Sequence, residues 1–513
     1  MRLTLDTVVY KVDPLNPDDE VISRCAEVIL QGGLVAFPTE TVYGIGGNGL
    51  DPAAVARIFE VKGRPQDNPL ILHVSRPENV ESLVREIPPE AVKLIEMFWP
   101  GPLTLILPKS DLVPSIVTAG LSTVAVRMPD HPVAHKLIDA CGVPLAAPSA
   151  NISGRPSATS AEDVLADLGG KVDIILDAGP TEIGIESTVV DLSGDVPRVQ
   201  RPGGLNLESI QMVLKPDIAP PSKYRHYVPT SDVYLVTGDV LQQRQKTIFH
   251  AIKGIGSGRK VVVLASEENA PYYTPFERVF GEGFMRVITL GSRCDLSPVA
   301  ARLYSSLRRA SEELGADIIL SETFPQDGIG LAISNRLEMA SEGRVVPWFE
   351  GNSDDCPAPL GILMVCSGNT CRSPMAEGLF RRLWKDIGEP YPIDIASAGV
   401  SAISGFPASR EAVEVMARRG IDISCHRSRS VEFEDIQKAD LVITMTRGHK
   451  AVLALGYPEL AHKVFTLSEM ISDEDLGDVP DPFGQDLEMY EYTAYLLEGK
   501  LLILAKRLAG LDV

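Results

Sequence analysis

GILMVCSGNTCRSPMAEGLF (361–380) runs from an apolar stretch ending in Cys366, through a loop with glycine and asparagine, to Arg372 and a helical pattern opening near Ser373 and Pro374. That order of strand, loop and helix begins an α/β unit. It also converges chemistry on one point. Backbone N–H groups of the loop and the helix N-terminus face an anion there, and the same field favours a negative charge on the Cys366 sulfur. Arg372 offers a bidentate fork for two phosphate oxygens, and Ser373 stands within reach of the sulfur. A buried core cysteine closing a strand is the plainer reading of Cys366 alone. The surrounding loop and helix, with a candidate acid far downstream, favour a nucleophile.

The 513 residues exceed what one hydrophobic core holds and suggest about three domains. Upstream, β-rich runs (34–38, 69–74, 103–108, 124–129, 173–179, 187–192) alternate with helical periodicity over 18–32, 52–63 and 131–142, which reads as one α/β domain over 1–215. The proline-rich KPDIAPPSKYRHYVPTSD reads as a linker, placed at 216–232. A second α/β unit follows over 233–347, with VVVLAS (261–266), a helix over 299–315 and ADIILSE (316–322). The turn formers at 348–359 make a second linker, and 360–513 is the third domain.

Apolar residues at 44% and charged residues at 23% describe a globular chain, and no apolar run approaches the roughly 18 residues of a membrane span. The opening MRLTLDTVVYKVDP alternates like a strand and lacks the build of a signal peptide. The expectation is a cytoplasmic protein without a membrane partner. A net charge of −21 argues against strong direct binding of nucleic acid, so anionic substrates need specific sites. The seven cysteines, without a secretion signal, read as reduced thiols.

Residues 361–510 resemble the low-molecular-weight protein phosphatases, with SAGV (397–400), ADLVITMT (439–446) and VPDPF (479–483) where that family has similar segments. The resemblance implies a flavodoxin-like four-stranded parallel sheet and a reaction through Cys366, Arg372 and a general acid at Asp481, with Asn369, Thr370 and Ser373 supporting the phosphate loop. It implies phosphoprotein substrates and no cofactor. Tyrosine-directed members carry a bulky aliphatic residue where this chain has Thr370, whereas members that cleave phosphoarginine have threonine. The expectation is therefore phosphoarginine, with Phe483 stacking on the guanidinium. Cys371 has two readings, a protective disulfide with Cys366 or passive packing.

In the first domain PTETVYGIG (38–46), EVKGRPQDNPLILHV (60–74), PSANISGRPS (148–157) and ESTVVDL (186–192) set polar and basic groups beside strand ends, where open α/β sheets bind ligands. Lys62 and Arg64 suit a triphosphate, and Ser149, Asn151 and Ser157 suit its positioning, though each taken alone fits a solvated turn. Together, over about 10–345, these segments resemble the threonylcarbamoyl-AMP synthases of the long form. The resemblance implies a twisted open α/β catalytic domain of the YrdC type followed by a small Rossmann-like α/β domain. The family condenses threonine, bicarbonate and ATP, with magnesium, to threonylcarbamoyl-adenylate and pyrophosphate. A downstream transferase uses the product to modify tRNA at adenosine 37.

By that resemblance Thr41, His73, Arg127 and Ser187 lie around threonine. Lys62, Arg64, Asn68, Thr123, Ser149, Asn151, Ser157, Arg201 and, from the linker, Tyr227 lie around ATP, and no residue is assigned to a protein-held metal. GIGLAISNRLEMA (328–340) matches the family's second domain, its glycines reading as a tight phosphate- or backbone-facing turn or a structural loop. An RNA-binding or regulatory module is the competing reading of the N-terminal half, disfavoured by the acidity of the chain. A thiol redox module competes at Cys366 and Cys371, and it would require neither Arg372 nor Asp481. The whole is read as a bifunctional enzyme.

Overall fold

Three parallel or mixed sheets organise the chain, in a computed structural model that describes residues 6–214, 230–349, 356–471 and 477–513. Most of the first linker, and with it Tyr227, lies outside the described residues, as does the middle of the second. The first sheet has ten strands in the spatial order Val8–Lys11, Ile174–Asp177, Val35–Phe37, Gly44–Asn48, Leu145–Ala146, Ile71–His73, Thr123–Arg127, Leu103–Pro108, Thr188–Asp191, Arg198–Arg201. The alternating segment near the N-terminus is its edge strand, parallel to Ile174–Asp177. GIGGN reads from sequence only as part of a polar motif, yet it forms the strand Gly44–Asn48. Its glycines carry none of the β-branched side chains that mark strands from sequence.

Local signals set the helices. Asp18 accepts from the N–H groups of Glu20 and Val21 and starts Asp19–Leu30, while Asp51 and a following proline start Pro52–Lys62. The second sheet orders Asp232–Val236, Ile318–Glu322, Val261–Ser266 and Met285–Gly291, with Asp232–Val236 and Val261–Ser266 each parallel to Ile318–Glu322. The third orders Ile393–Gly399, Leu360–Cys366, Leu441–Thr444 and Val464–Thr466, all parallel, which is the four-stranded sheet expected of a phosphatase domain.

Packing divides the chain differently from its sheets. One compact unit holds 1–230 with 290–309 and 324–343, and the other holds 231–289, 310–323 and 344–513. The helices Ser297–Arg308 and Gly330–Ala340, which follow strands of the second sheet in sequence, therefore pack with the first domain. Gly184 marks how closely. Its φ is +76°, and a Cβ there would fall 2.5 Å from the Cα of Ala301 in the helix Ser297–Arg308. In the turn before Gly330–Ala340, Gly330 approaches the Pro325 carbonyl, so this is a backbone-facing turn.

In the second unit, one core spans the second sheet and the phosphatase sheet. Phe249, on the helix Val240–Gly256, is fully buried, with ring centroids 5.1 Å from Tyr391, 5.7 Å from Trp348 and 5.5 Å from Phe349. Beside it Lys463 donates to the carbonyls of Gly256, Gln437 and Ala439, and Lys253 pairs with Asp440 at 2.9 Å. Phe249→Ala should cost about 3–5 kcal/mol, the range for deleting a buried aromatic ring. Although Phe249 lies outside 361–510, thermal inactivation of phosphatase turnover is expected to move to lower temperature with it. An unshifted inactivation curve would show that the two sheets do not share their stability.

Candidate active sites

Cys366 ends the central strand Leu360–Cys366 and sits opposite Gly399 of the neighbouring strand. A Cβ on Gly399 would approach the Ser367 carbonyl to 2.5 Å, so the strand can touch the loop only because this residue is glycine. Asn369 takes the left-handed conformation (φ +53°), and its side chain ties the loop together. Its Nδ2 donates to Ser373 Oγ (2.9 Å) and Ser397 Oγ (3.1 Å), and its Oδ1 accepts from the Arg429 N–H (2.9 Å). Ser373 Oγ in turn lies 3.0 Å from Cys366 Sγ. The helix Arg372–Asp386 begins here, with its N-terminus at the loop.

Arg372 is buried, with Nη2 donating to Asp481 Oδ2 at 2.6 Å and to Ser367 Oγ at 3.0 Å. The Asp481 side chain is 48% exposed, which places a carboxyl at the mouth of the loop where a leaving group would emerge. Thus Cys366, Arg372, Asp481, Asn369 and Ser373 converge as read from sequence. Thr370 is half-buried on the same loop, and Phe483 is 71% exposed. Cys366 and Cys371 are both free thiols. Cys371 Sγ lies 3.2 Å from Tyr490 Oη and 3.4 Å from Ser409 Oγ.

Sequence reasoning misses His449. Its Nε2 lies 2.9 Å from Ser367 Oγ and its Nδ1 lies 3.0 Å from Thr446 Oγ1, so a chain runs from Arg372 through Ser367 to the imidazole. Burial, and then the Arg372 charge, lower its pKa to about 4. The signal available in the sequence is Thr446, three residues before His449, which caps the helix Arg447–Gly456.

In the first unit a cavity of about 910 Å³ is lined by His73, Arg127, Ser187, Lys62, Arg64, Asn68, Thr123, Ser149, Asn151, Ser157 and Arg201. Thr123, Ala125 and Arg127, alternate residues of one strand, all line it, so it lies over a face of the sheet rather than at the strand ends expected from sequence. All but two of the residues expected around threonine and ATP are thus brought together. Tyr227 is not described, and Thr41 lies fully buried behind Thr39, which does line the cavity and whose hydroxyl is 2.8 Å from that of Thr41.

Two residues differ in posture from the sequence expectation. Lys62 is buried, and its ammonium faces the carbonyls of Ser149 and Asn151 and the Asn151 side chain, so it anchors the 148–157 loop. Burial, with Arg64 nearby, drives its pKa well below the usual lysine value. Arg127 faces Glu40 at 2.7 Å, both buried. His73 is held neutral, its pKa lowered to about 3 by burial and then by Arg127.

Glu186 also escapes the sequence reading, although it immediately precedes Ser187. It lines the cavity and accepts from Ser157 Oγ at 2.6 Å, Arg336 Nε at 2.9 Å and Tyr304 Oη at 3.0 Å. Burial raises its pKa, but Arg336 and Arg201 outweigh burial and hold it well below the carboxylate range. Arg201 grips the Ser187 carbonyl through Nε (3.1 Å) and Nη2 (2.9 Å). Burial lowers its own pKa to about 10, against the pull of Glu186.

A threonylcarbamoyl-AMP synthase from Pyrococcus abyssi is 47% identical over 63% of this chain and 95% of its own length, and one from Bacillus subtilis is 44% identical over 65% and 96%. The chain belongs to the threonylcarbamoyl-AMP synthases. Residues 27–203 match the family model described as telomere recombination, and 205–342 match the threonylcarbamoyl-AMP synthase C-terminal domain. The crystal structure of P. abyssi Sua5 complexed with L-threonine is similar over 66% of this chain and 99% of that one, at 44% identity and a TM-score of 0.61. Beyond the synthase region, 361–510 match the low molecular weight phosphotyrosine protein phosphatase model, so a phosphatase domain follows the synthase domains. Among the described residues no helix is long and apolar enough to cross a membrane.

Protonation links the phosphatase site to stability. Folded His449 stays neutral down to about pH 4, as does His250, whose pKa burial also lowers to about 4. An unfolded histidine titrates near 6.5. Between these values the unfolded chain binds protons that the folded chain does not, so stability falls as pH falls from about 6.5 toward 4. Urea midpoints of the second unit at pH 7, 6 and 5 should fall less steeply in His449→Gln than in the wild type. Identical slopes would refute the neutral imidazole.

Proposed function

We propose that the first unit condenses threonine, bicarbonate and ATP to threonylcarbamoyl-adenylate, water and pyrophosphate. The observation that carries this is the 910 Å³ cavity, in which arginines and hydroxyls expected around ATP share one wall system with the His73, Arg127 and Ser187 group. Supporting it, the P. abyssi relative is described in complex with L-threonine. Arg127 would exchange Glu40 for the threonine carboxylate, while neutral His73 contributes a hydrogen bond rather than charge. A carbamate made from the threonine amine and bicarbonate would then attack the α-phosphorus and displace pyrophosphate. Arg64 and Arg201 offset the triphosphate charge, and Lys62 acts by fixing the loop that carries Ser149, Asn151 and Ser157. Magnesium is assigned to the ATP substrate, whose triphosphate it would neutralise. The product would pass to a transferase that modifies tRNA adenosine 37.

The second site is assigned a protein phosphatase reaction. The thiolate of Cys366 attacks phosphorus, Arg372 grips the equatorial oxygens, Asp481 protonates the leaving group, and water then hydrolyses the cysteinyl phosphate. Phosphoarginine is the substrate that Thr370 favours. Its hydroxyl accepts a guanidinium hydrogen bond that an aliphatic side chain would leave unmade, and the exposed ring of Phe483 offers a stacking face.

Pyrophosphate release should require both threonine and bicarbonate, falling to background when either is omitted. Undiminished release on omission would overturn the assignment. Cys366→Ser should abolish phosphatase turnover and leave pyrophosphate release unchanged. On peptides of matched sequence, Thr370→Ile should move the kcat/KM ratio toward phosphotyrosine by about ten- to a hundredfold, the worth of one hydrogen bond to a charged group. A wild type that prefers phosphotyrosine, or an unmoved ratio, would exclude phosphoarginine.

A further inference from the structure

Two helices outside the first sheet reach Glu186 in the wall of its cavity. Tyr304 comes from Ser297–Arg308 and lines the cavity, with its hydroxyl 3.0 and 3.1 Å from the two Glu186 oxygens. Arg336 comes from Gly330–Ala340, where only 2% of its side chain is exposed. Its Nε meets Glu186 at 2.9 Å and its Nη2 donates to the Pro202 carbonyl at 3.1 Å, next to Arg201 in sequence. Gly184 lets the first of these helices lie directly on the catalytic backbone. One turn beyond Tyr304, Arg308 grips Asp167 through both Nη atoms (3.1 and 2.9 Å) and donates to the carbonyl of Pro156, which precedes Ser157.

Glu186 joins these contacts to the cavity. It accepts the Ser157 hydroxyl and attracts Arg201, which holds Ser187. A buried carboxylate deprived of one cationic partner draws harder on the remaining one. Without Arg336, Glu186 would pull Arg201 away from Ser187 and from the triphosphate. Tyr304, kept protonated by burial and by Glu186, supplies a donor that a phenylalanine ring cannot.

We propose that Arg336 and Tyr304 are positioning residues for ATP, acting through Glu186, so that the second synthase domain supplies part of the synthase site. This rests on the synthase reading of the cavity. They set the geometry of Ser157 and Arg201 before the nucleotide arrives. Their loss weakens ATP binding more than it slows bound substrate.

The test uses the full chain and measures KM for ATP, KM for threonine, kcat of pyrophosphate release and, as a control for folding, phosphatase turnover. Arg336→Met should raise KM for ATP about tenfold, the worth of a charge-assisted hydrogen bond, with a smaller change in kcat and in KM for threonine. Arg336→Lys should recover part of it. In a Glu186→Gln background Arg336→Met should add little, because both act on one path. Tyr304→Phe removes a single oxygen and tests the same role should Arg336→Met fold poorly: a raised KM for ATP supports it. Unchanged KM for ATP in Tyr304→Phe or in a folded Arg336→Met overturns it, and so does an equal Arg336 effect with and without Glu186. A wild type lacking threonine- and bicarbonate-dependent release instead overturns the reaction on which the proposal rests.

Discussion

The carboxylate of Glu186, with only 16% of its side chain exposed between Arg336, Tyr304 and Ser157, exemplifies the constraint on which much of this molecule depends. An ion taken from water costs several kcal/mol unless partners replace the solvent. The chain meets that cost with groups brought from far along the sequence. Asp167, fully buried, meets Arg308 and Arg155, and with Glu186 it binds two helices to the catalytic sheet. Lysines solve the same problem with backbone oxygens. Lys62 closes on the 148–157 loop, and Lys463 closes on three carbonyls in the second unit. These buried side chains serve as tethers for loops and helix ends whose carbonyls would otherwise lack partners.

The phosphatase loop applies the same constraint to Arg372. Arg372 is buried, its Nη2 donates to both Asp481 and Ser367, its Nη1 donates to the Val479 carbonyl, and Ser367 in turn meets His449. A guanidinium held in plane by several acceptors has lost its rotational freedom before a phosphate arrives, so less entropy is spent on binding. Asn369 and Gly399 do the same for the backbone. The first locks a left-handed turn, and the second lets the adjoining strand come within contact of the loop.

Much of this is legible in the sequence. Strands such as Leu103–Pro108 and Val261–Ser266 declare themselves because apolar runs bounded by turns have few other fates. Cys366, Arg372 and Asp481 are legible as a group because their residue types suit phosphoryl transfer, and the structure brings them together, while eleven residues expected around threonine and ATP line one cavity. What stays hidden depends on long-range pairing. Arg336 and Glu186 are 150 residues apart, and neither carries a local sign of the other. Lys62 resembles a phosphate ligand because a basic turn does not reveal which carbonyls will surround it. The allegiance of Ser297–Arg308 and Gly330–Ala340 is equally invisible, since helical periodicity names an apolar face without naming what covers it.

The aromatic junction around Phe249 bears on how the fusion persists. Trp348, Phe349, Tyr391 and Phe249 pack edge to face where the synthase sequence gives way to the phosphatase sequence. Dividing the gene there would bare large rings on both products, and exposed aromatic patches invite aggregation. Each substitution that improves this shared packing makes later separation harder, so the junction acts as an evolutionary ratchet. Selection for either activity alone then preserves the folded framework of the other.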